Sequence, residues 1–502
     1  MTSLRSARFP ADLAAIDIGS NSFRLEIGQI TPGRYKRVDY LKETVRLGAG
    51  LDASGMLTDA AAERGLACLA RFAQRLDGYA PQQVRAVATQ TLREAGNRDS
   101  FLARAKEVLG HPIEVISGRE EARLIYVGVA RLQPSEGQRL VIDIGGRSTE
   151  MILGRGRTPL RAESFQVGSV SLSMRFFPEG RFTEQAFRRA QVAAGAEFEE
   201  ALAPFARHLW SEALGSSGTA GAVSQLLLAN GVTDGAITPD GLRWCIAQCL
   251  KAGRADKLSL AGLKEDRKAV LGGGLAILYT LATHFDIEAL QPARGALRQG
   301  VIFDLDDRRG SAGSGAASDM REASVQEMQK RFGADTEQAA RVGAVAAGLY
   351  AQVEPDADPA QRRLLAWAAA LHEVGMMVSH HDHHRHSAYL IGHADAAGFS
   401  QSEQRRLADL VLAQRGGLRK VEAALADPAM AWQVLCLRLA IIVCHARQAV
   451  DPALLALGRR DSTATLTVPD AWADTHPRTL FLLEEETAVW ERGTSLRLVV
   501  RR

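Results

Sequence analysis

Cysteine is sparse in this chain: five residues, an odd number, with no C-x-x-C pair among Cys68, Cys245, Cys249, Cys436 and Cys444. That pattern excludes a disulfide scaffold and predicts buried thiols in a reduced environment. Net charge is only +3 over 502 residues, so no whole-molecule basic field announces nucleic acid, and any polyanion site must be local. No stretch approaches the roughly 18 uninterrupted apolar residues of a membrane span. Arg5 and Arg8 precede no apolar signal core before Pro10, so a cytoplasmic location without a membrane span is expected. A Gly-x-x-x-x-Gly-Lys-Ser/Thr loop is missing as well, which excludes P-loop nucleotide chemistry. What is present is ordinary for a globular protein, 46% hydrophobic and 24% charged. At this length the chain should divide into about two to four domains.

The most informative feature is a repetition. Ala15-Ile16-Asp17-Ile18-Gly19-Ser20-Asn21-Ser22 is echoed by Val141-Ile142-Asp143-Ile144-Gly145-Gly146-Arg147-Ser148-Thr149, about 126 residues later. Each copy is an apolar strand ending in Asp, a glycine turn with hydroxyls, and a second strand (Phe23, Leu25, Ile27; Met151, Leu153). Glycine in such a turn permits φ > 0 and lets backbone N–H groups converge on phosphate oxygens. An Asp at the strand end suits magnesium, which needs only one or two carboxylates besides water and substrate phosphates. One such turn alone reads as an ordinary hairpin. Two together describe hairpins facing one ligand.

Strand and helix patterns alternate through the first 300 residues, which predicts α/β layers. Thr58 caps a helix running to Leu76, Val84–Thr89 reads as a strand, and a helix to Leu109 precedes a strand at 113–116. An amphipathic helix from Thr183, a strand-to-turn at 213–219 and a helix reaching Gly272-Gly273-Gly274 complete the second half. Arg308 to Ser318 is dominated by Arg, Gly, Ser and Ala and reads as linker. Helical spacing then runs from Ser324 to about Ala449, followed by strand, uncertain middle and strand to the C-terminus. The predicted domains are 1–124, 125–307, a linker at 308–323, an all-α domain at 324–455 and a small α+β cap at 456–502.

Glu120 and Glu121 follow Ser117-Gly118, where a helix should begin. Two carboxylates there are favoured by the helix macrodipole. Alternatively, one of them orients and deprotonates a water for in-line attack on a phosphoryl group.

Four segments, Asp17–Ser22, Ser117–Ile125, Asp143–Glu150 and Gly215–Thr219, together resemble the exopolyphosphatase and guanosine pentaphosphate phosphatase family. Leu371-His372-Glu373-Val374-Gly375 and His384–Tyr389 resemble the long bacterial exopolyphosphatase form. The resemblance implies a duplicated two-domain core of the actin, hexokinase and Hsp70 type with a cleft between its halves, then an HD-like all-α domain. It also implies Glu121 as the base with Glu120 as its substitute, and Asp143, Glu150 and Asp17 around a magnesium ion. Ser20, Asn21, Ser22, Gly145, Gly146 and Ser148 would hold phosphate, with Gly218 and Thr219 in a third turn. Arg93 resembles a family arginine that grips the anion, and Arg267 is a weaker candidate for substrate contact. Arg147 departs from the glycine that most members carry. If that position needs φ > 0 it is strained; otherwise its charge adds a phosphate contact. A homodimer is a further implication.

The histidines at 380, 381, 383, 384 and 386 invite a metal. His372-Glu373 echoes the His-Asp pair of metal-dependent HD phosphohydrolases, but Glu replaces the defining Asp and no complete downstream ligand set follows. The domain therefore reads as an HD fold that has lost its metal, with Arg385 and the histidines forming a polar loop. The leading function is removal of terminal orthophosphate from inorganic polyphosphate, because an added domain and cap would extend a positive groove for a long chain. Hydrolysis of guanosine pentaphosphate is the alternative within the same chemistry. A sugar-kinase or Hsp70-like ATPase and a non-enzymatic polyphosphate or alarmone sensor are the others.

Overall fold

The computed structural model describes residues 12–31, 34–313 and 319–502. The chain forms two compact units, one before and one after the 317/318 boundary.

In the first unit, strands β1 (Asp12–Ile18), β2 (Ser22–Thr31), β3 (Arg34–Thr44), β4 (Val84–Ala88) and β5 (Ile113–Val115) form one sheet in the order β3-β2-β1-β4-β5. Strands β6 (Gln138–Ile144), β7 (Thr149–Arg155), β8 (Thr158–Phe165), β9 (Glu212–Ser216) and β10 (Leu290–Pro292) form a second, in the order β8-β7-β6-β9-β10. Both sheets pair their first three strands antiparallel and add the last two in parallel, so the repeated sentence in the sequence is a repeated topology. Helices α1 (Asp59–Arg75), α2 (Gln90–Glu94), α3 (Arg98–Leu109) and α4 (Gly118–Leu132) belong to the first repeat. Helices α5 (Ser169–Phe176), α6 (Glu184–Phe198), α7 (Ser217–Ala229), α8 (Pro239–Ala252), α9 (Glu265–His284) and α10 (Leu297–Gly313) follow.

Alternation along the central strands decides where each aspartate points. On β1, Ala14, Ile16 and Ile18 enter a core shared with α1 and α3. On β6, Leu140, Ile142 and Ile144 enter the corresponding core of the second half. The intervening residues Leu13, Ala15 and Val141 pack instead into a layer built with Leu124 and Ile125 of α4 and Leu297 and Val301 of α10. Asp17 and Asp143 continue this second series, so both carboxylates emerge toward the slab joining the halves. That slab also places the predicted 124/125 boundary in the middle of α4 rather than between elements.

Other expectations needed correcting. The predicted linker is helix through Gly313, and a further helix starts at Met320; residues 314–318 lie outside the described residues. Its polar composition carries no apolar stripe that would signal a helical period in the sequence. The glycine triplet interrupts nothing, because α9 runs on to His284.

The second unit is helical from Met320 to Val443, with a three-stranded sheet of Ala456–Arg460, Thr463–Thr467 and Arg497–Arg501. The uncertain middle of the cap is the helix Pro477–Gly493. Leu457, Leu466, Trp490 and Leu498 share one core with Val342, Leu365, Leu410 and Leu435, so the cap has no core of its own. The five cysteines are free and buried. No helix among the described residues is long and apolar enough to cross a membrane.

Candidate active site

The two hairpin tips face each other across a cavity of about 520 Å³ in the first unit. Its wall includes Asp17, Ser20, Asn21, Ser22, Glu121, Asp143, Gly145, Gly146, Ser148, Gly218, Thr219 and Arg267, so most residues singled out from sequence converge. Glycine serves here by its size rather than by φ > 0: neither Gly19, Gly145 nor Gly146 has positive φ. A Cβ on Gly146 would lie 3.2 Å from that of Ser20, which is how the tips come together. Arg147 has no positive φ either, so the condition under which it would be strained is not met.

The aspartates occupy equivalent places in the two repeats but meet different neighbours. Asp17 lies opposite Arg24, whose Nη1 donates to Oδ2 at 3.0 Å, and Arg298 Nη1 stands 3.6 Å from the same oxygen. Asp143 lies opposite Glu150, and among the described residues no cation comes within ion-pair distance of it. Burial pushes its carboxyl up to about 6, with the Ser216 hydroxyl, Arg24 and Arg298 opposing. Glu150 does not line the cavity; it is 1% exposed and accepts a hydrogen bond from Ser164 Oγ at 2.8 Å. Burial, and then the charges of Glu121 and Asp143, hold its pKa well above the usual carboxylate range.

Glu121 is placed by the first turn of α4, whose N-cap Ser117 accepts from the Glu120 amide. Burial raises its pKa to about 7, against the opposing pull of Arg93, whose Nη1 donates to Oε2 at 2.8 Å. A carboxyl poised near neutrality in a polar cleft suits proton transfer. Glu120, the predicted substitute, does not line the cavity: its side chain turns away and accepts from Arg123, Nε to Oε2 2.7 Å. Arg123 in turn donates to Asp304, and this buried network holds Glu120 outside the cavity. Arg93 does not face the cavity as an anion grip. Its guanidinium is committed to Glu121, the Ile116 carbonyl and Gln90. Arg147 likewise turns from the cavity to Glu94.

Two of the cavity's polar groups illustrate what is left for a ligand. Ser22 Oγ is buried without a hydrogen-bond partner. Arg267 has no ion-pair partner among the described residues, and burial followed by the charge of Arg24 lowers its pKa. Its guanidinium lies over Gly218, where a Cβ would come within 2.2 Å of Nη2. Thr219 Oγ1 donates to the Ile144 carbonyl at 3.0 Å, so that hydroxyl's proton is already used.

The sequence reading missed most of the cationic wall: Arg24, Arg37, Lys42, Lys264, Arg294 and Arg298. A signal existed for part of it. In the strand Phe23-Arg24-Leu25-Glu26-Ile27 the alternate residues are charged, and Arg24 pairs with Lys42 across the β2–β3 ladder, placing both on the cavity face. Among the described residues, Tyr40 is the sole aromatic residue of the wall, and the guanidinium groups of Arg37 and Arg298 lie 5.5 and 5.3 Å from its ring centroid.

Among the described residues, no three His, Cys, Asp or Glu side chains assemble into a metal cage. Asp143, buried and without an ion-pair partner among the described residues, fits a cation held by one or two carboxylates and completed by water and phosphate oxygens. In the second unit, His372 Nδ1 lies 2.7 Å from the Ala369 carbonyl and Glu373 accepts from Arg447 Nη2 at 2.8 Å. His383 and His384 are buried while His380 and His381 are exposed, which separates the histidine run.

Residues 27–309, more than half the chain, match the Ppx/GppA phosphatase family, and residues 320–487 match its domain III. A solved exopolyphosphatase from Cytophaga hutchinsonii is 26% identical, with a TM-score of 0.52, covering 59% of this chain and 98% of its own. An exopolyphosphatase-like protein is 25% identical, with a TM-score of 0.53 over 60% and 98%. The Aquifex aeolicus family member is 26% identical, with a TM-score of 0.50 over 60% and 99%. Two sheets of one strand order, joined through a shared helical slab, make the first unit a duplicated core of the actin, hexokinase and Hsp70 type. With that core and the third domain both matched, the chain belongs to the Ppx/GppA phosphatase family.

Proposed function

We propose that this phosphatase is an exopolyphosphatase that releases terminal orthophosphate from inorganic polyphosphate with magnesium as cofactor. The observation that carries this reading is the charge order of one cavity. Asp17, Glu121 and Asp143 share it with Arg24, Arg37, Lys42, Lys264, Arg267, Arg294 and Arg298. Cations in such excess suit a ligand carrying charge along its length.

Guanosine pentaphosphate is the competing substrate. The wall's lone aromatic ring, Tyr40, already carries two guanidinium groups, which leaves a guanine base without a free stacking platform. That favours polyphosphate.

In this mechanism Ser20, Asn21 and Ser22 on one tip and Gly145, Gly146 and Ser148 on the other hold the terminal phosphoryl group. Arg267 and its neighbours receive the following phosphates. Glu121, ionised and held by Arg93, orients a water and takes its proton as the water attacks in line with the leaving chain. Asp143 and Asp17 would hold magnesium, with Glu150 behind Asp143; when bound, the ion neutralises charge on the phosphate oxygens. Buried carboxylates otherwise repel a polyanion, so the cation and the arginines share the neutralisation.

Phosphate release from long-chain polyphosphate and from guanosine pentaphosphate, each with magnesium and with chelator, tests this reading. Release from polyphosphate that requires the metal is expected. Preferential release from guanosine pentaphosphate would reassign the substrate, and binding without release from either would make the protein a sensor.

A further inference from the structure

Arg147 sits on the tip of the β6–β7 hairpin yet contributes nothing to the cavity wall. Its Nε and Nη2 donate to Glu94 Oε2 at 2.9 and 2.6 Å, and its Nη1 donates to the Gly48 carbonyl at 3.3 Å. The second oxygen of Glu94 accepts from Gln90 Nε2 at 2.6 Å. The oxygen of the same Gln90 amide accepts from Arg93 Nε and Nη2 at 2.9 and 2.6 Å. Arg93 Nη1 then reaches Glu121 Oε2 at 2.8 Å and the Ile116 carbonyl at 2.9 Å. An unbroken string of hydrogen bonds thus runs from the second half's phosphate hairpin, through α2 of the first half, to the carboxylate at the start of α4.

The string has a defined sense. The Gln90 amide cannot flip without losing both Glu94 and Arg93, because its oxygen faces a donor-only guanidinium and its nitrogen an acceptor-only carboxylate. Glu94 is next to Arg93 in sequence. Deprived of Arg147, its carboxylate becomes a competing partner for the Arg93 guanidinium and draws it from Glu121.

We propose that Arg147 is a positioning residue for the hydrolysis, acting through Glu94, Gln90 and Arg93 to hold the Glu121 carboxylate. The proposal rests on the reading of Glu121 given under Proposed function. Because Arg147 and Glu94 come from opposite halves, the base is braced only while the two hairpin tips stand together.

A double-mutant cycle with Arg147→Gln, Glu94→Gln and the combined variant tests this on the full-length protein. Each single variant should lower kcat by about tenfold with KM within about twofold of the parent, and the double should be no slower than the slower single. In the substrate-free protein, both variants should also speed amide exchange over residues 116–123, since the Arg93 bond to the Ile116 carbonyl loosens with the rest. A raised KM in Arg147→Gln beside a normal Glu94→Gln would overturn the proposal, because Arg147 would then touch substrate. Multiplicative losses in the double variant, or unchanged exchange, would overturn it too. A parent protein that cleaves neither polyphosphate nor guanosine pentaphosphate would defeat the functional reading instead, while the exchange measurement still decides the wiring.

Discussion

Glu121 owes its acidity mainly to its surroundings rather than to its one ion pair: burial lifts it to about 7 although Arg93 touches it. As a base it must be ionised, so kcat/KM for phosphate release should climb as pH rises through about 7, measured under subsaturating substrate. Replacing it by Gln should cut kcat by about 10²- to 10⁴-fold while polyphosphate binding survives; unchanged turnover would remove it from the role. Stability moves the other way. Between its ordinary 4.5 and about 7 the folded protein holds this proton more tightly than the unfolded chain. Stability of the metal-free protein should therefore fall as pH rises across that window, and Glu121→Gln should flatten the slope of Tm against pH. Asp143→Ala should shift the magnesium titration of activity to much higher concentrations, and an unaltered titration would count against metal ligation there. At this scale the sequence was legible where a residue's position follows from its place at a strand end, as for Asp17 and Asp143, which both line the cavity. Arg93, Glu120 and Arg147 were misread because what an arginine or glutamate touches depends on partners far away in the chain: Glu94 for Arg147, Asp304 beyond Glu120 and Arg123.

Among the elements, the helix pair α4 and α10 carries the greatest structural consequence, because it fills the layer that touches both sheets and sets Glu121 at its edge. Leu124, fully buried in that layer, should cost about 2–5 kcal/mol when truncated to Ala, read by denaturant unfolding. Strands were readable from their period and apolar content, as in the doubled segments around Asp17 and Asp143. Helix ends were less so. α10 continues into a polar, glycine-containing tail although its ion pairs and hydrogen bonds to the first sheet come from Arg298, Gln299 and Asp304, all in its first half. The slab between the sheets was invisible for a related reason. Nothing in α4 or α10 alone says that each packs between strands of two sheets.

Across the whole first unit, the cavity gathers cations from β2, β3, α9 and α10, elements that are distant in sequence. If these groups receive successive phosphates, KM for polyphosphate should rise steeply with salt while kcat changes little, as a titration in potassium chloride would show. A flat KM would mean that the wall does not bind the chain. The doubled topology was legible in the repeated motif, yet the cationic lining was not, because it is assembled only when two sheets converge. The duplication has one last consequence. Asp17 faces an arginine where Asp143 faces a glutamate, so the ancestral twofold likeness of backbone is broken in charge. One carboxylate arrives already paired with arginine and the other does not, which gives an otherwise symmetric crevice a polarity from one repeat to the other.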